Sequence, residues 1–198
     1  NSLGLVGIAM SDMASGWLMT SLNADPGAVS RVQVAANLPM FLFTLLAGAL
    51  TDLTDLRRFL IAVQSLVLAV TLVYAAMVSL GAVTPGSLLA ITFVLSAVWT
   101  FAAPAWLAAT PLLVPRRDLD AATAINGAGY NVSKAVGPAL GGLAIAWLGI
   151  AAPFWIFCLC NVVCIAVLIG WRGPRLGVAR LPPERLTSAL RIGFRHAA

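Results

Sequence analysis

Six long apolar stretches, separated by short polar or Gly- and Pro-containing breaks, dominate the hydrophobic pattern of this chain. They run from Leu3 to Leu22, Val32 to Leu50, Phe59 to Leu80, Leu88 to Val114, Ala121 to Leu148 and Ile150 to Trp171. Each approaches or exceeds the roughly 20 residues that an α-helix needs to cross a membrane's hydrocarbon core. The pattern therefore predicts an all-α polytopic membrane protein with six transmembrane helices.

Composition strengthens this prediction. The chain is 61% hydrophobic and 10% charged, whereas soluble domains carry about 25% charged residues. Its unbroken apolar runs favour helices over the alternating strands of a membrane barrel. All three cysteines, Cys158, Cys160 and Cys164, lie in the sixth run without disulfide or zinc spacing, so we interpret them as small apolar residues. No metal site or bound cofactor is predicted.

The basic residues predict the orientation of the helices in the membrane. Ten of the twelve Lys and Arg residues follow the second, fourth and sixth stretches: Arg57, Arg58, Arg116, Arg117, Arg172, Arg175, Arg180, Arg185, Arg191 and Arg195. Only Arg31 falls on the opposite side. Because short cytoplasmic loops are enriched in Lys and Arg, we expect both ends of the chain in the cytoplasm. The net charge of +5 then reports topology, and no nucleic-acid partner is expected.

The domain organisation follows from the same pattern. Residues 1–171 are expected to form one six-helix bundle, because no break is long enough to hold a second domain. Residues 172–198 are expected to form a basic cytoplasmic linker, whose Leu186, Leu190 and Phe194 are spaced as in a short amphipathic helix on the membrane surface. A frayed tail is the alternative. The chain opens with Asn1 inside an apolar stretch, which suggests a fragment or a processed chain.

Two ionisable residues lie within the apolar stretches, Asp12 in the first and Lys134 in the fifth. Such residues are costly in a membrane, usually face the bundle interior or a water-filled cavity, and mark functional sites by default. We therefore expect Asp12 and Lys134 to handle protons or substrate charge. A structural ion pair between them, or a Lys134 side chain that extends to the membrane surface, is the alternative.

Other polar residues lie near them in the sequence pattern: Ser11, Ser15, Asn37, Asn126, Asn131 and Ser133. They are candidates to line the same pathway. Hydrogen bonding between helices would explain the same residues.

The fifth stretch contains Gly137-Pro138-Ala139-Leu140-Gly141-Gly142. Glycine lets two helices approach closely, and proline removes one helical hydrogen bond and permits a kink. The segment predicts a closely packed, bendable helix, with generic packing as the alternative.

The loop after the second stretch carries a recognisable pattern. It resembles the Gly-x-Leu-Ala-Asp-Arg-x-Gly-Arg-Arg signature of major facilitator superfamily transporters, matched at Gly48, Leu50, Asp52, Arg57 and Arg58. Asp52 lies at a helix end, where it could pair with a basic group or cap a neighbouring helix. An ordinary charged loop could have the same composition.

The segment from Gly137 to Gly142 is similar to the fifth-helix motif of facilitator antiporters. Nearly the whole chain resembles the bacterial exporter branch that includes the enterobactin exporter. This resemblance implies the N-terminal half of a twelve-helix fold, built as an inverted 3+3 repeat, with a C-terminal six-helix half as its partner. It also implies a bacterial inner-membrane protein that exports a drug-like or siderophore-like molecule by alternating access, driven by the proton gradient.

The match has departures. Leu53 and Leu56 occupy basic positions of the loop signature, and Trp106 stands where the branch often has an arginine. Proton coupling therefore rests mainly on the family, with Asp12 and Lys134 as its candidates.

Two other classes of function compete with export. An intramembrane enzyme would need a nucleophile with a base, or two membrane carboxylates. The one histidine, His196, is in the tail, and Asp12 has no membrane-embedded acidic partner; no catalytic residues are therefore assigned. A non-transporting fragment or membrane scaffold of facilitator descent remains the alternative function.

Overall fold

A computed structural model describes residues 2–22 and 25–170 of the chain. These residues form six long α-helices and one turn of 3-10 helix. The bounds are α1 Ser2–Leu22, α2 Pro26–Leu53, α3 Leu56–Ser79, α4 Pro85–Leu113, α5 Leu119–Leu148 and α6 Ala152–Gly170, with the 3-10 turn at Arg116–Asp118. The all-α, six-helix prediction is confirmed.

Local capping explains where several helices begin. The Asp25 carboxylate accepts a hydrogen bond from the Gly27 backbone N–H at 3.0 Å, and Asp55 accepts one from the Arg58 N–H at 3.0 Å. Thr84 and Ser87 form a reciprocal capping box at the start of α4. These bonds satisfy backbone donors that a helix start leaves free. As a result, α2 begins at Pro26, six residues before the start of the predicted apolar run.

The ends of α3 and α5 depend on glycine. Gly81 follows α3 with φ at 65°, and Gly149 follows α5 with φ at 89°. A residue with a Cβ rarely adopts this backbone conformation, so both positions suit glycine. Gly149 lies in the short break between the fifth and sixth apolar stretches, and it follows the last residue of α5.

Within residues 2–22 and 25–170, four helices are long and apolar enough to cross a membrane by length and composition. These segments are Gly27–Thr51, Leu56–Ser79, Pro85–Thr110 and Ala152–Gly170. The other two, α1 and α5, contain 21 and 30 residues, or about 32 and 45 Å at 1.5 Å per residue. Their length suffices, but polar residues, including Asp12 and Lys134, lower their hydropathy.

Helix pairing gives the bundle its shape. The closest pairs are α2 with α4, α1 with α5, α3 with α6, α1 with α6, and α3 with α4. Exchanging α1, α2 and α3 for α4, α5 and α6 converts the α2–α4 pair into α1–α5, and the α3–α4 pair into α1–α6. This is the pairing expected of two related three-helix units. The inverted 3+3 repeat itself stays a prediction.

The largest core cluster combines buried residues of α1, α2, α3, α4 and α6 near the α1 end that carries Leu18 and Met19. Tyr74 and Phe154 are fully buried there, with ring centroids 4.4 Å apart. This packing fixes α3 against α6. The predicted basic linker of residues 172–198 lies outside the described residues.

Candidate functional site

A cavity of about 160 Å³ lies among α1, α2, α3, α4 and α5. It brings together the two ionisable residues that the sequence singled out, because both Asp12 and Lys134 line it. Its other lining residues are Leu5, Ile8, Ala9, Ser11, Ser15, Ala36, Tyr74, Thr92, Leu95, Ser96, Trp99, Tyr130 and Ser133. The cavity therefore combines opposite charges, hydroxyl groups and aromatic rings in the interior of the bundle.

Asp12 and Lys134 face the cavity without a direct bond. Within the described residues no ion pair joins them, although the Lys134 ammonium is close enough to interact electrostatically with the Asp12 carboxylate. Lys134 Nζ instead lies 5.1 Å from the centre of the Tyr130 ring, one helical turn earlier on α5. A cation at this distance is attracted by the ring's electron density. Both residues are exposed where they line the cavity.

Buried hydroxyl groups form another part of the cavity wall. The Tyr74 hydroxyl donates to Ser15 Oγ at 3.0 Å, and the Ser15 hydroxyl donates to the backbone carbonyl of Ser11 at 2.9 Å. Thr92 lies beside Tyr74 and is also buried. The sequence pointed to Ser11 and Ser15 but missed Tyr74 and Thr92. An isolated Tyr or Thr in an apolar run gives no signal of its own until the helices that surround it are known.

A hydrogen bond between helices holds the cavity's α2 and α4 walls together. The Ser96 hydroxyl donates to the Ala36 carbonyl, and both residues line the cavity. Phe43 and Phe101 lie farther along the same two helices, with ring centroids 6.0 Å apart. The α2 wall is thus fixed to α4 at two levels.

Three predicted pathway residues are not among the lining residues of this cavity. Asn37 donates its side-chain amide to the Gln33 carbonyl at 2.7 Å, and Asn131 donates to the Gly127 carbonyl at 3.0 Å. Both side chains are exposed, and Asn126 is half-buried. Since Asn37 and Asn131 bond within their own helices, neither reaches across to a neighbouring helix through these contacts. Their role in a pathway stays a prediction.

The glycines of α5 lie against α1. A Cβ built on Gly137 would stand 2.5 Å from the Ala9 Cβ, and one on Gly141 would stand 3.3 Å from the Cα of Met10. Gly142 is less constrained, because the nearest atom is the flexible end of Met13 at 3.5 Å. Gly137 and Gly141 therefore permit a close approach of the two helices that carry Lys134 and Asp12.

Pro138 lies inside α5 and adds a second feature to this segment. Because proline has no backbone N–H, it cannot donate the helical hydrogen bond to the residue four positions earlier. That residue is Lys134. The backbone hydrogen bonding of α5 is thus interrupted at the level of the charged Lys134.

The loop residues of the facilitator signature lie at the junction of α2 and α3. Arg57 donates from Nε to the Leu168 carbonyl at 3.0 Å and from Nη2 to the Ile169 carbonyl at 2.7 Å. It therefore caps the end of α6, since the last carbonyls of a helix lack helical partners and carry partial negative charge. Gly48 is half-buried, Arg58 is exposed, and Asp52 lies in the last turn of α2.

Sequence reasoning also missed a buried amide pair between α3 and α6. Gln64 Nε2 donates to Asn161 Oδ1 at 3.4 Å, and Asn161 Nδ2 donates to the Phe157 carbonyl at 2.8 Å. Both side chains are almost fully buried. The sequence did contain a signal for this pair, because Gln64 and Asn161 are strongly polar residues inside apolar runs. This pair joins α3 to α6 away from the candidate cavity.

Comparisons with known proteins agree with the six-helix membrane fold. Residues 1–198 match the family described as transmembrane secretion effector. The chain is 31% identical over 175 residues to the multidrug efflux pump Tap of Mycolicibacterium fortuitum, a match that covers 82% of this chain and 42% of that relative. The chain thus spans less than half the length of this relative. No solved structure matches significantly. The chain belongs to the transmembrane secretion effector family of the major facilitator superfamily, which is a family of membrane transporters and not of enzymes.

Proposed function

We propose that the full-length protein is a secondary active transporter that exports a small molecule by alternating access, with this chain as its N-terminal six-helix half. The observation that carries the proposal is the cavity in which Asp12 and Lys134 face each other without pairing. In major facilitators the substrate binds near the membrane midplane between two such halves. A C-terminal half would cover the open face of the cavity, where Asp12 and Lys134 are exposed.

In this proposal Asp12 exchanges protons or contacts a charged part of the substrate, and Lys134 responds to the charge on Asp12. Protonation of Asp12 would remove the negative charge nearest to Lys134. The ammonium would then interact chiefly with Tyr130 or with the substrate. The proton gradient thereby becomes coupled to the occupancy of the cavity, without the fourth-helix arginine that many proton-coupled members carry.

The conformational change of this six-helix half is proposed to involve bending of α5. Gly137 and Gly141 hold α5 close to α1, while Pro138 frees the carbonyl of Lys134 from its helical bond. A bend at this level would move Lys134 relative to Asp12. The proposed gate lies at the C-terminal end of α2 and consists of Gly48, Asp52, Arg57 and Arg58. There Arg57 joins α3 to α6 through its hydrogen bonds.

The proposed setting is the inner membrane of a bacterium, with both ends of this chain in the cytoplasm. It follows from the Arg residues after α2, α4 and α6 and from the positive-inside rule. The proposed substrates are drug-like or siderophore-like molecules. The relative named as a multidrug efflux pump favours the first of these.

The test uses the full-length gene in its own host. A deletion strain is compared with the wild type for sensitivity to a panel of drugs and for siderophore in the medium, and the exported compound is then followed in inside-out vesicles. We expect the deletion to raise intracellular accumulation of at least one compound, and an uncoupler to abolish its transport into the vesicles. Unchanged accumulation of every compound would instead favour a non-transporting scaffold of facilitator descent.

A further inference from the structure

A second cavity, larger and mostly apolar, lies at the start of α1. Its volume is about 460 Å³, and it is lined by the start of α1, the start of α3, the end of α4 and the end of α6. Its wall includes Leu3, Leu60, Trp106, Ala109, Cys164 and Val167. This volume lies within the range of about 300–1,000 Å³ typical of small-molecule sites. We call it the α1/α6 pocket.

The α1/α6 pocket is separate from the candidate transport site. It shares no lining residue with the cavity that contains Asp12 and Lys134. No Asp, Glu, Lys or Arg lines it, and its polar groups are limited to two thiols, one indole and the backbone. Such a wall suits a hydrocarbon chain and disfavours a charged or strongly hydrated ligand.

The start of α3, at the edge of the pocket, carries two arginines and the Asp55 carboxylate that caps the helix. Arg57 donates to the carbonyls of Leu168 and Ile169, and Leu168 and Gly170 both line the pocket. A guanidinium has five N–H donors, so the two bonds to α6 leave three for another partner. Arg58, which is exposed, adds a second cation at the same helix start. The pocket therefore has an apolar wall and an edge at which two guanidinium groups outnumber one carboxylate.

We infer that the α1/α6 pocket binds one acyl chain of an anionic phospholipid from the surrounding leaflet, with its phosphate at Arg57 and Arg58. In the proposed orientation this is the cytoplasmic leaflet, where anionic headgroups bind basic pockets between transmembrane helices. The inference requires that the chain be in a membrane but not that it transport anything. Its failure and the failure of the proposed export function are therefore distinguishable.

Trp106 provides a reporter inside the pocket. The full-length protein is placed in nanodiscs that contain either brominated phosphatidylglycerol or brominated phosphatidylcholine, because bromine quenches tryptophan fluorescence at short range. Subtracting the emission of Trp106→Phe isolates the signal of this residue. We expect saturable quenching by the phosphatidylglycerol, preferred over phosphatidylcholine by about fivefold for each arginine engaged.

Matched variants test the two parts of the site. Arg58→Gln should reduce the preference for phosphatidylglycerol, while Arg117→Gln, at an exposed arginine of another loop, should leave it unchanged. Cys164→Phe should fill the pocket and lower quenching by both lipids. Leu159→Phe, on the exposed side of the same helix, should not.

Each part of the inference has a result that overturns it. Equal quenching by the two lipids would show that the rim does not select an anionic headgroup. Quenching that Cys164→Phe leaves unchanged would show that the chain lies outside the pocket. Arg57→Gln also loosens the end of α6, so Arg58→Gln and Cys164→Phe carry the test.

Discussion

Replacing Gly137 by alanine is expected to force α5 away from α1. The added Cβ would lie 2.5 Å from the Ala9 Cβ and 3.4 Å from the Val6 carbonyl oxygen, whereas non-bonded carbon atoms settle at about 3.5–4.0 Å. Because Ala9 has no flexible side chain that could turn aside, the helix backbones themselves must separate, by about 1 Å. Overpacking of this kind costs about 1–3 kcal/mol.

Gly127 offers a matched control on the same helix. A Cβ at Gly127 meets nothing within 4 Å. Both substitutions improve intrinsic helix propensity by about 1 kcal/mol, so this contribution cancels when the two variants are compared. The difference in unfolding free energy between Gly137→Ala and Gly127→Ala should therefore equal the packing cost of about 1–3 kcal/mol.

The assay is reversible unfolding of the full-length protein by SDS titration in mixed micelles, followed by the helical circular dichroism signal. Gly137→Ala should unfold at a lower SDS fraction than Gly127→Ala, and Gly127→Ala at the same fraction as the wild type or a higher one. If the two variants unfold together, the close contact between α1 and α5 is not part of the stable fold. The role proposed for the helix-five motif would then fail with it.

Two further predictions concern buried polar groups. Asn161→Leu should destabilise the full-length protein by about 1–3 kcal/mol, because it leaves the Gln64 amide buried without its partner. The double variant with Gln64→Leu should recover most of this loss in the same SDS titration. Additive losses in the double variant would argue against the pair. Tyr74→Phe removes the hydrogen bond to Ser15 at the cavity wall and should slow export, whereas Thr71→Val removes a buried hydroxyl that bonds only its own helix, at the Val67 carbonyl, and should leave export unchanged. Equal export rates in these two variants would exclude a role for the Tyr74 hydroxyl in the site.

The six helices could be predicted from sequence because membrane-crossing length and apolarity are local properties. The residues at which the helices begin were harder to predict. The sequence placed the second helix from Val32, but Asp25 and Pro26 begin it earlier through a cap and a favourable first-turn proline. Apolarity marks the part of a helix that faces lipid, and it does not mark where the hydrogen-bonded helix begins.

The candidate site was only partly predictable for a related reason. Asp12 and Lys134 stand out because a charge within an apolar run is costly in a membrane and is kept mainly where it serves a function. Asn37 and Asn131 look similar in sequence, yet their amides bond carbonyls of their own helices. Tyr74 lines the cavity because α3 packs against α4 and α6 and brings the Tyr74 hydroxyl to Ser15 of α1, a tertiary fact that no local pattern contains.

The most direct test of the account is proton flux driven by the exported compound in proteoliposomes of the full-length protein, measured with a pH-sensitive dye. We expect Asp12→Asn to abolish this flux and Lys134→Ala to reduce it strongly. Asp120→Asn, at an exposed carboxylate in the first turn of α5, should behave like the wild type. Wild-type proton flux in both Asp12→Asn and Lys134→Ala would contradict the central claim that this cavity couples protons to export.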